Sequence, residues 1–399
     1  MLQEDTTSND TNNGTGESRT TVLSPGIVEA RNQTNRQEIS DEIKAFLAGT
    51  TTGGGITGVL KSEFRTFFTI WMFITRLPSP SWIDLHPGYL MRGMGFFPVA
   101  GCILGLMYAT VFDFVNISLG LHSSIAASFL VTLGLYITGC FHEDGLADSS
   151  DGIGGGWSKS QILKIMTDSR VGTFGCAALC MFLLTKVQLL GQMGTSNWQF
   201  YECSGAGPAI IVSQTVARLS APYLIRTRDY VAEVGPKSPF YIFMVEAKYL
   251  VSWGRLTIAM SFSWALAAII YGPVFSTILI MAILLLAHFF GNKGDYLLGG
   301  VMGDYLGSVI CICEIATLTL ISTRGDIADT YLTIRDLFDE GHFQLIDLYG
   351  SSRVRATFHF ILLVVGLKIW VTYVGPKDMY DRETETATTS DENDKDKDE

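Results

Sequence analysis

The sequence has few charged residues. Asp, Glu, Lys and Arg make up only 17% of its 399 residues, whereas hydrophobic residues make up 48%. Soluble domains usually carry about 25% charged residues, so this shortage argues against a chain of two or three soluble domains. Much of the net charge of −11 comes from segment 376–399, which holds ten acidic and four basic residues. The acidity therefore says little about a substrate, and we expect no nucleic-acid partner.

Cysteine pairs of the C-x-x-C type are also absent. Six of the seven cysteines fall within apolar runs. Cysteines in such positions are usually small buried apolar residues. The sequence therefore predicts no zinc site.

The two ends of the chain have few aromatic residues. Residues 1–57 are rich in Thr, Ser, Asn, Gly and Glu, and they can bury too little apolar surface to fold by themselves. They contain no apolar segment typical of a secretory signal. We therefore expect a disordered N-terminal arm (1–60), a membrane-embedded catalytic domain (61–375) and an acidic disordered tail (376–399).

Between these ends lie apolar stretches long enough to cross a membrane, which takes about 20 residues. Their all-round hydrophobicity excludes a soluble amphipathic bundle. We predict an all-α protein, a polytopic transmembrane helical bundle of eight or nine spans in contact with membrane lipid; the sequence leaves its oligomeric state open. The clear spans are Met94–Val115, Ser123–Phe141, Gly172–Leu190, Gly207–Ile225, Leu256–Tyr271, Val274–Phe290, Tyr305–Ser322 and Ala356–Val374, and a shorter ninth is Phe64–Leu77.

Basic residues collect in the loops on one side of these spans. The opposite connections near 116–122, 191–206 and 272–273 contain no Lys or Arg, although the longer loop 323–355 is an exception. By the positive-inside rule, the basic side is cytoplasmic or its organellar equivalent. We expect the acidic motifs described next to lie at span ends on this one face.

The first acidic motif, H-E-D-G-L-A-D-S-S-D-G, covers His142–Gly152. If it is helical, Asp144, Asp148 and Asp151 lie within about 60° of one another on one face. Such like charges repel, whereas a cation would neutralise them, and Mg²⁺ typically binds one or two carboxylates with water and substrate phosphates. We predict a Mg²⁺ site here, with a solvated acidic loop as the alternative. His142 is a candidate base, although a lone loop histidine more often has no such role.

A glycine run and a loop follow this motif. Gly155 and Gly156 belong to the run, whose backbone N–H groups could approach phosphate oxygens. Arg170, in the stretch I-M-T-D-S-R-V-G-T-F-G, offers a forked phosphate donor. Asp168 is a candidate to ligate metal or to orient that arginine. Taken alone, this stretch is equally consistent with plain turns.

The second motif, G-G-V-M-G-D-Y-L-G, opens the span Tyr305–Ser322. Gly300, Gly303 and Asp304 suit a helix N-terminus that faces an anion or a metal. Glu314 lies deeper in the same span, and ionisable residues within a membrane are functional candidates by default. The same reasoning covers Arg218 and Lys186, for which mutual pairing or snorkelling is the alternative.

Together these stretches resemble the cobalamin synthase family, the adenosylcobinamide-GDP ribazoletransferases. The His142–Gly152 motif is similar to the family's acidic signature, and the stretches 165–175 and 299–307 are similar to two further blocks. Near the start, F-I-T-R-L-P resembles the family's F-x-T-R-L-P. The blocks occur in order from about Phe64 to Ser322. Met302 and Tyr305 depart from the family pattern, because they replace two threonines of the glycine–aspartate block.

The resemblance implies a Mg²⁺-dependent phosphotransferase. Its substrates would be adenosylcobinamide-GDP and α-ribazole or its 5′-phosphate, and its products cobalamin or its 5′-phosphate and GMP. It also implies catalytic roles for Asp144, Asp148, His142 and Arg170, substrate contacts from Gly155, Gly156, Arg170, Arg218, Gly300 and Gly303, and metal ligands among Asp144, Asp148, Asp151, Asp168, Asp304 and Glu314. Phosphoryl transfer of this kind needs mainly positioning and charge neutralisation from the protein.

Two other classes stay open at this point. A CDP-alcohol phosphotransferase of lipid synthesis also uses an acidic helix with metal, but Asp148 stands where its pattern has arginine. A cation transporter would use Asp304 and Glu314 as ion ligands, but it would be expected to show interrupted helices in corresponding halves. We find no internal repeat of that kind.

Overall fold

The computed structural model describes residues 55–198, 203–231 and 247–324, all within the compact unit Thr50–Glu399. These residues are helical and contain no strand; the only β-type pairings among them are two isolated bridges. The helices are α1 (Gly55–Ile74), α2 (Pro87–Gly93), α3 (Phe97–Asp113), α4 (Ser123–Thr138), α5 (Phe141–Gly155), α6 (Lys159–Met166), α7 (Thr173–Met193), α8 (Ala206–Ala217), α9 (Ser220–Thr227), α10 (Ala247–Leu250), α11 (Trp253–Tyr271), α12 (Pro273–Leu297) and α13 (Gly303–Ser322). A 3₁₀ turn, Met94–Phe96, joins α2 to α3, and a π turn, Phe114–Ser118, follows α3.

Five helical segments of the described chain are long and apolar enough to cross a membrane. They are Pro87–Ser118, Thr173–Met193, Trp253–Tyr271, Pro273–Leu297 and Gly303–Ser322, and a sixth would result only if α4 and α5 formed one broken span. These helices fit an integral membrane protein, as predicted. The expected number of eight or nine spans is not confirmed, and the stretch Ala356–Val374 lies outside the described residues.

The predicted span Gly207–Ile225 shows why the count differs. The structure divides it into α8 and α9, and every residue of α8 is buried. With 12 and 8 residues, each of the two helices is too short to cross a membrane by itself. Arg218 lies at the C-terminal cap of α8, where the helix stops.

The short stretch Phe64–Leu77 also differs from expectation. It belongs to α1, which begins at Gly55, so the last residues assigned to the N-terminal arm are helical. Glu63 of α1 accepts hydrogen bonds from Arg92 and Arg255. This shared carboxylate ties α1 to α2 and to the start of α11.

A sharp bend separates α4 from α5. The two helices meet at 89°, because Gly139 (φ 66°) and Cys140 (φ 61°) both adopt the left-handed conformation. Glycine commonly ends a helix in this way, whereas the same conformation is uncommon for a residue with a side chain. The bend turns the acidic motif away from the apolar helix that precedes it.

The centre of the bundle is formed by α8 and α13, which pack on each other and on α3 and α5. Helix α3 approaches α8 through two glycines one turn apart. A Cβ at Gly101 would come within 2.2 Å of the Gln214 carbonyl oxygen, and one at Gly105 within 2.8 Å of the Ile211 Cα. Small residues at this spacing let helix backbones touch, as is common in membrane bundles.

Candidate functional site

The acidic motif is helical, which is the condition under which its aspartates share one face: it forms α5, which packs between α7 and α13. Asp144 is exposed, Asp148 is half-buried and Asp151 is buried. Their spacing places all three on one side of the helix. The three carboxylates therefore have different surroundings although they share a face.

The motif and the glycine–aspartate block meet through backbone contact. A Cβ at Gly145 would come within 2.5 Å of the Asp304 carbonyl oxygen and 2.9 Å of the Asp304 Cα. Gly307, one turn further along α13, lies against His142. The structure thus brings Asp304, at the first turn of α13, next to the helix that carries Asp144 and Asp148.

Asp151 caps helix α7. One of its carboxylate oxygens accepts the Gly172 N–H at 2.6 Å, and the other accepts the Gly175 N–H at 2.8 Å. These are donors at the start of a helix, where a negative charge is favoured. The predicted role of Asp151 as a metal ligand stays a prediction, since both of its oxygens already accept hydrogen bonds.

Asp168 pairs with Arg170 in the loop before α7. Arg170 donates from Nη2 to Asp168 Oδ2 at 2.6 Å and from Nε to Oδ1 at 3.0 Å. These side-chain hydrogen bonds, together with one from the Arg170 backbone, lower the pKa of Asp168 to about 2, so the carboxylate stays ionised throughout the physiological range. The Arg170 side chain is 87% exposed. Of the two roles expected for Asp168, the contacts match the one in which it orients this arginine.

The predicted phosphate-binding glycines occupy less favourable positions. Gly155 is the last residue of α5 and Gly156 is its C-cap, with the Gly156 N–H already donated to the Gly152 carbonyl at 2.8 Å. The Gly300 N–H is donated to the Gly294 carbonyl at 3.2 Å. Gly303 is the first residue of α13. Of these four glycines, it alone sits where a helix N-terminus favours an anion.

The block Gly299–Gly303 is held by a neighbouring segment. Val301 pairs with residues 229–231 through two backbone hydrogen bonds of 2.9 and 2.7 Å. The Lys159 ammonium lies directly over Gly299. Lys159 is a cation beside the site that the motif analysis missed. In the sequence it was noticeable only as one of the basic residues in the loops on one side of the spans.

The two departures from the family pattern have structural roles. Met302 is buried, and the Tyr305 hydroxyl donates to the Phe290 carbonyl at 2.7 Å. This bond ties α13 to α12. Neither side chain supplies the hydroxyl that a threonine would place at the site.

A buried polar network crosses the bundle interior. Lys186 Nζ lies 2.7 Å from Glu314 Oε1, which also accepts a hydrogen bond from the Gln214 amide. Arg218 Nη1 donates to Gln214 Oε1 at 2.6 Å. Lys186 is therefore paired within the protein, as the alternative to a functional role for this residue supposed. Glu314 lies about 15 Å along α13 from Asp304, at 1.5 Å per residue, so the structure does not place these two acids together.

This network forms one wall of a cavity bounded by α3, α4, α5, α7, α8 and α13. The cavity is small, with about 20 Å³ of space inside it, room for about one water molecule. His142 lines it, on the opposite side of α5 from the three aspartates. The structure therefore separates His142 from the carboxylates with which it was grouped. Tyr108 and Gln214 also line the cavity. Gln214 could have been found from the sequence, because it is a polar residue within an apolar span, whereas nothing in the sequence distinguished Tyr108.

Metal binding at this site would depend on its carboxylates. In the described part of the chain, no three His, Cys, Asp or Glu side chains converge closely enough to hold a metal by themselves. Mg²⁺ does not require such a cage, because it is commonly held by one or two carboxylates with water and substrate phosphates. The hard oxygen ligands of Asp144, Asp148 and Asp304 fit that mode of binding.

These features define a class of protein: an integral membrane protein with a carboxylate-rich helix against the first turn of an apolar span. The sequence model of cobalamin-5-phosphate synthase matches residues 66–322, more than half of the chain. The chain belongs to the cobalamin-5-phosphate synthase family.

Individual relatives agree with this assignment. A protein of Shewanella sp. (strain W3-18-1) is 35% identical over 271 residues, covering 66% of this chain and 96% of its own length. One of Shewanella oneidensis is 34% identical with the same coverage, and one of Shewanella halifaxensis is 29% identical over 66% of this chain and 97% of its own. All three are named adenosylcobinamide-GDP ribazoletransferase. No solved structure matches.

Proposed function

We propose that the protein is an adenosylcobinamide-GDP ribazoletransferase, which joins adenosylcobinamide-GDP to α-ribazole or its 5′-phosphate and releases GMP. The observation that carries this proposal is the backbone contact between Gly145 and Asp304, which assembles the two acidic blocks of the family in one place. Family membership disfavours both a CDP-alcohol phosphotransferase and an ion transporter.

Asp144, Asp148 and Asp304 would hold Mg²⁺. The ion would neutralise charge on the diphosphate of the GDP-activated substrate. Arg170 is exposed and donates its Nε and one Nη2 hydrogen to Asp168, so its remaining guanidinium N–H groups are available to a phosphate. Lys159, over the glycine block, adds a second cation. These residues position the diphosphate for attack by the ribose hydroxyl, which is most of what phosphoryl transfer requires of a protein.

The acidic blocks would share one membrane face, cytoplasmic or the organellar equivalent. Two contacts support this: α5 touches the first turn of α13, and Asp151 of α5 caps the first turn of α7. The starts of two apolar helices therefore meet the same acidic helix. The basic residues of the loops favour the cytoplasmic side by the positive-inside rule.

GMP release tests the proposed function. Purified protein in lipid nanodiscs is incubated with adenosylcobinamide-GDP, α-ribazole and Mg²⁺, and GMP and the cobalamin product are quantified. We expect product that depends on both substrates, is lost in EDTA and returns with Mg²⁺. GMP formation without any joined product, or full turnover in EDTA, would contradict the proposal.

A double-substitution cycle tests whether Arg170 and Asp304 act in one site. Arg170→Lys should raise the KM for the GDP-activated substrate, because a point charge cannot replace a bidentate fork. Asp304→Ala should instead lower kcat and weaken the Mg²⁺ dependence. Residues that act as a unit are non-additive, so the double variant should lose less than the product of the two single losses. Multiplicative losses would indicate independent sites.

A further inference from the structure

The arginine of the F-I-T-R-L-P stretch, Arg76, lies against the bend between α4 and α5. Its backbone N–H donates to the Ile137 carbonyl at 2.7 Å. A Cβ at Gly139 would lie 2.9 Å from both Cζ and Nη2 of Arg76, so the guanidinium crosses the bend at a residue that has no side chain. These two contacts hold Arg76 at the start of the acidic helix.

The guanidinium of Arg76 keeps its donors free although the residue is held in place. It is exposed and, within the described residues, it forms no ion pair and no hydrogen bond. By contrast, Arg65, Arg92 and Arg228 each pair with a carboxylate. The five N–H donors of a guanidinium match the oxygens of a carboxylate or a phosphate. Because no protein carboxylate engages those of Arg76, they are available to an anion that comes from outside the chain.

The part of the candidate site closest to this bend is Asp144. Its backbone N–H donates to the Cys140 carbonyl at 2.8 Å. Since Cys140 directly follows Gly139, Asp144 lies about one helical turn from the residue that Arg76 covers. Arg76, Glu143 and Asp144 also act electrostatically on the Cys140 thiol, so the three charges surround one residue.

Asp144 and Arg76 carry opposite charges but do not pair with each other. Asp144 is exposed like Arg76, and in the described part of the chain it forms no ion pair. A phosphate bound to a cation on Asp144 would fit between the two side chains, because it would meet positive charge on both sides. This arrangement favours a phosphate ligand at the Asp144 end of α5.

Arg170 lies near the opposite end of the same helix. Asp151 accepts the N–H of Gly172, two residues after Arg170. Asp151 is about 10 Å along α5 from Asp144, at 1.5 Å per residue. The two exposed arginines therefore flank the row of carboxylates. The two substrates carry phosphate in two places, the diphosphate of adenosylcobinamide-GDP and, when it is present, the 5′-phosphate of α-ribazole.

We propose that Arg76 is a substrate-binding residue that holds a phosphate group at the Asp144 end of α5. The proposal rests on the proposed function, which supplies the substrates. The fork of Arg76 donates charge-assisted hydrogen bonds to the phosphate oxygens, and such bonds are about twice as strong as neutral ones. The diphosphate and the 5′-phosphate offer the arginine the same chemistry, so the experiment distinguishes them by giving each substrate separately.

Equilibrium titrations of the full-length protein in lipid nanodiscs with Mg²⁺ test the proposal. The ligands are adenosylcobinamide-GDP, α-ribazole 5′-phosphate and α-ribazole, each added alone. We expect Arg76→Gln to weaken the binding of a phosphate-bearing substrate about 10- to 100-fold, the usual range for hydrogen bonds to a charged group. Arg76→Lys should recover part of this loss, because it restores the charge without the fork. α-Ribazole, which has no phosphate, should bind both variants as it binds the wild type.

The two sources of phosphate give different results. A loss confined to α-ribazole 5′-phosphate identifies the acceptor phosphate, and a loss confined to adenosylcobinamide-GDP identifies the diphosphate. Lys61→Gln is the matched control, because it also removes one exposed positive charge from the segment around α1. Lys61 lies more than three turns before the last residue of α1, Ile74, so we expect wild-type affinities.

Several outcomes would overturn the proposal. One is an Arg76→Gln protein that binds both phosphate-bearing substrates within twofold of wild type. Another is an equal loss of α-ribazole affinity, or an equal loss in Lys61→Gln, because the effect would then not depend on a phosphate at the bend. Wild-type protein that binds neither phosphate-bearing substrate would also overturn it. The proposed function fails separately, if the wild-type protein binds its substrates but joins no product; the titrations still decide the role of Arg76 in that case.

Discussion

Gly145 offers a direct way to perturb the candidate site without removing any of its side chains. In the wild-type structure, α5 and α13 touch at Gly145 and Asp304. A Cβ added at Gly145 would lie 2.5 Å from a backbone oxygen, whereas an ordinary contact is at least 3.4 Å. Because the opposing atoms are backbone, they cannot rotate away. Gly145→Ala must therefore separate the two helices by about 0.9 Å, the difference between these distances.

This displacement should reduce catalysis more than stability. Overpacking usually costs about 1–3 kcal/mol, and a misplacement of about 1 Å can lower turnover about 100-fold. We expect kcat to fall by about 10- to 100-fold in the GMP-release assay, together with a higher Mg²⁺ requirement. Thermal unfolding of the same preparation measures the loss of stability.

Gly254→Ala is the control for this substitution. Gly254 is also helical, but a Cβ there meets only Ser252 Oγ, at 3.9 Å, so we expect wild-type turnover. A Gly145→Ala protein with kcat within twofold of wild type would refute the reasoning. The contact between α5 and α13 would then not be what positions Asp304.

Three further predictions concern individual carboxylates and the buried ion pair. Asp148→Asn keeps the shape but removes the charge, and we expect GMP release to fall by more than about 100-fold, since losing even an outer-sphere partner of a metal ligand costs 10- to 100-fold; near-normal turnover would exclude Asp148 as a ligand. Asp151→Ala should lower the free energy of unfolding by about 1–3 kcal/mol, because the N-terminus of α7 loses its cap. The Mg²⁺ concentration for half-maximal activity should stay unchanged, and a shift in it would identify Asp151 as a metal ligand instead. Lys186→Met should destabilise the protein in a denaturant titration by about 3–5 kcal/mol, because the Glu314 carboxylate is left buried without its cation. Adding Glu314→Gln should recover most of this loss. A double variant as unstable as the single one would contradict the pairing.

Local pattern was sufficient to predict the helical class. The spacing of Asp144, Asp148 and Asp151 indicated one side of a helix, and α5 has that form. The buried pairing of Lys186 was among the alternatives because an ionisable residue within an apolar run needs a partner. These predictions succeeded because they depend on neighbours within a few helical turns.

The features that were not predicted depend on contacts between distant segments. Hydropathy follows the apolar run Gly207–Ile225 without showing where its helix stops, so the division into α8 and α9 was not predicted. The capping role of Asp151 depends on Gly172 and Gly175 of another helix. His142 was grouped with the aspartates by sequence, but the helix turns it to the opposite side. For α8 and Asp151 the deciding contacts come from distant parts of the chain, whereas the position of His142 follows from its spacing within α5.

The contact at Gly145 also determines when the site can assemble during synthesis. Helix α13, which touches Gly145, is the last helix of the described chain, so the ribosome releases it after all the other parts of the site. Until then α5, with its four acidic residues, lacks its neighbour on that side, and unneutralised carboxylates are costly within a bilayer. We expect the acidic helix to remain at the aqueous surface during synthesis and to dock only after α13 has been made. A chain interrupted before Gly303 would therefore be inserted in the membrane but inactive.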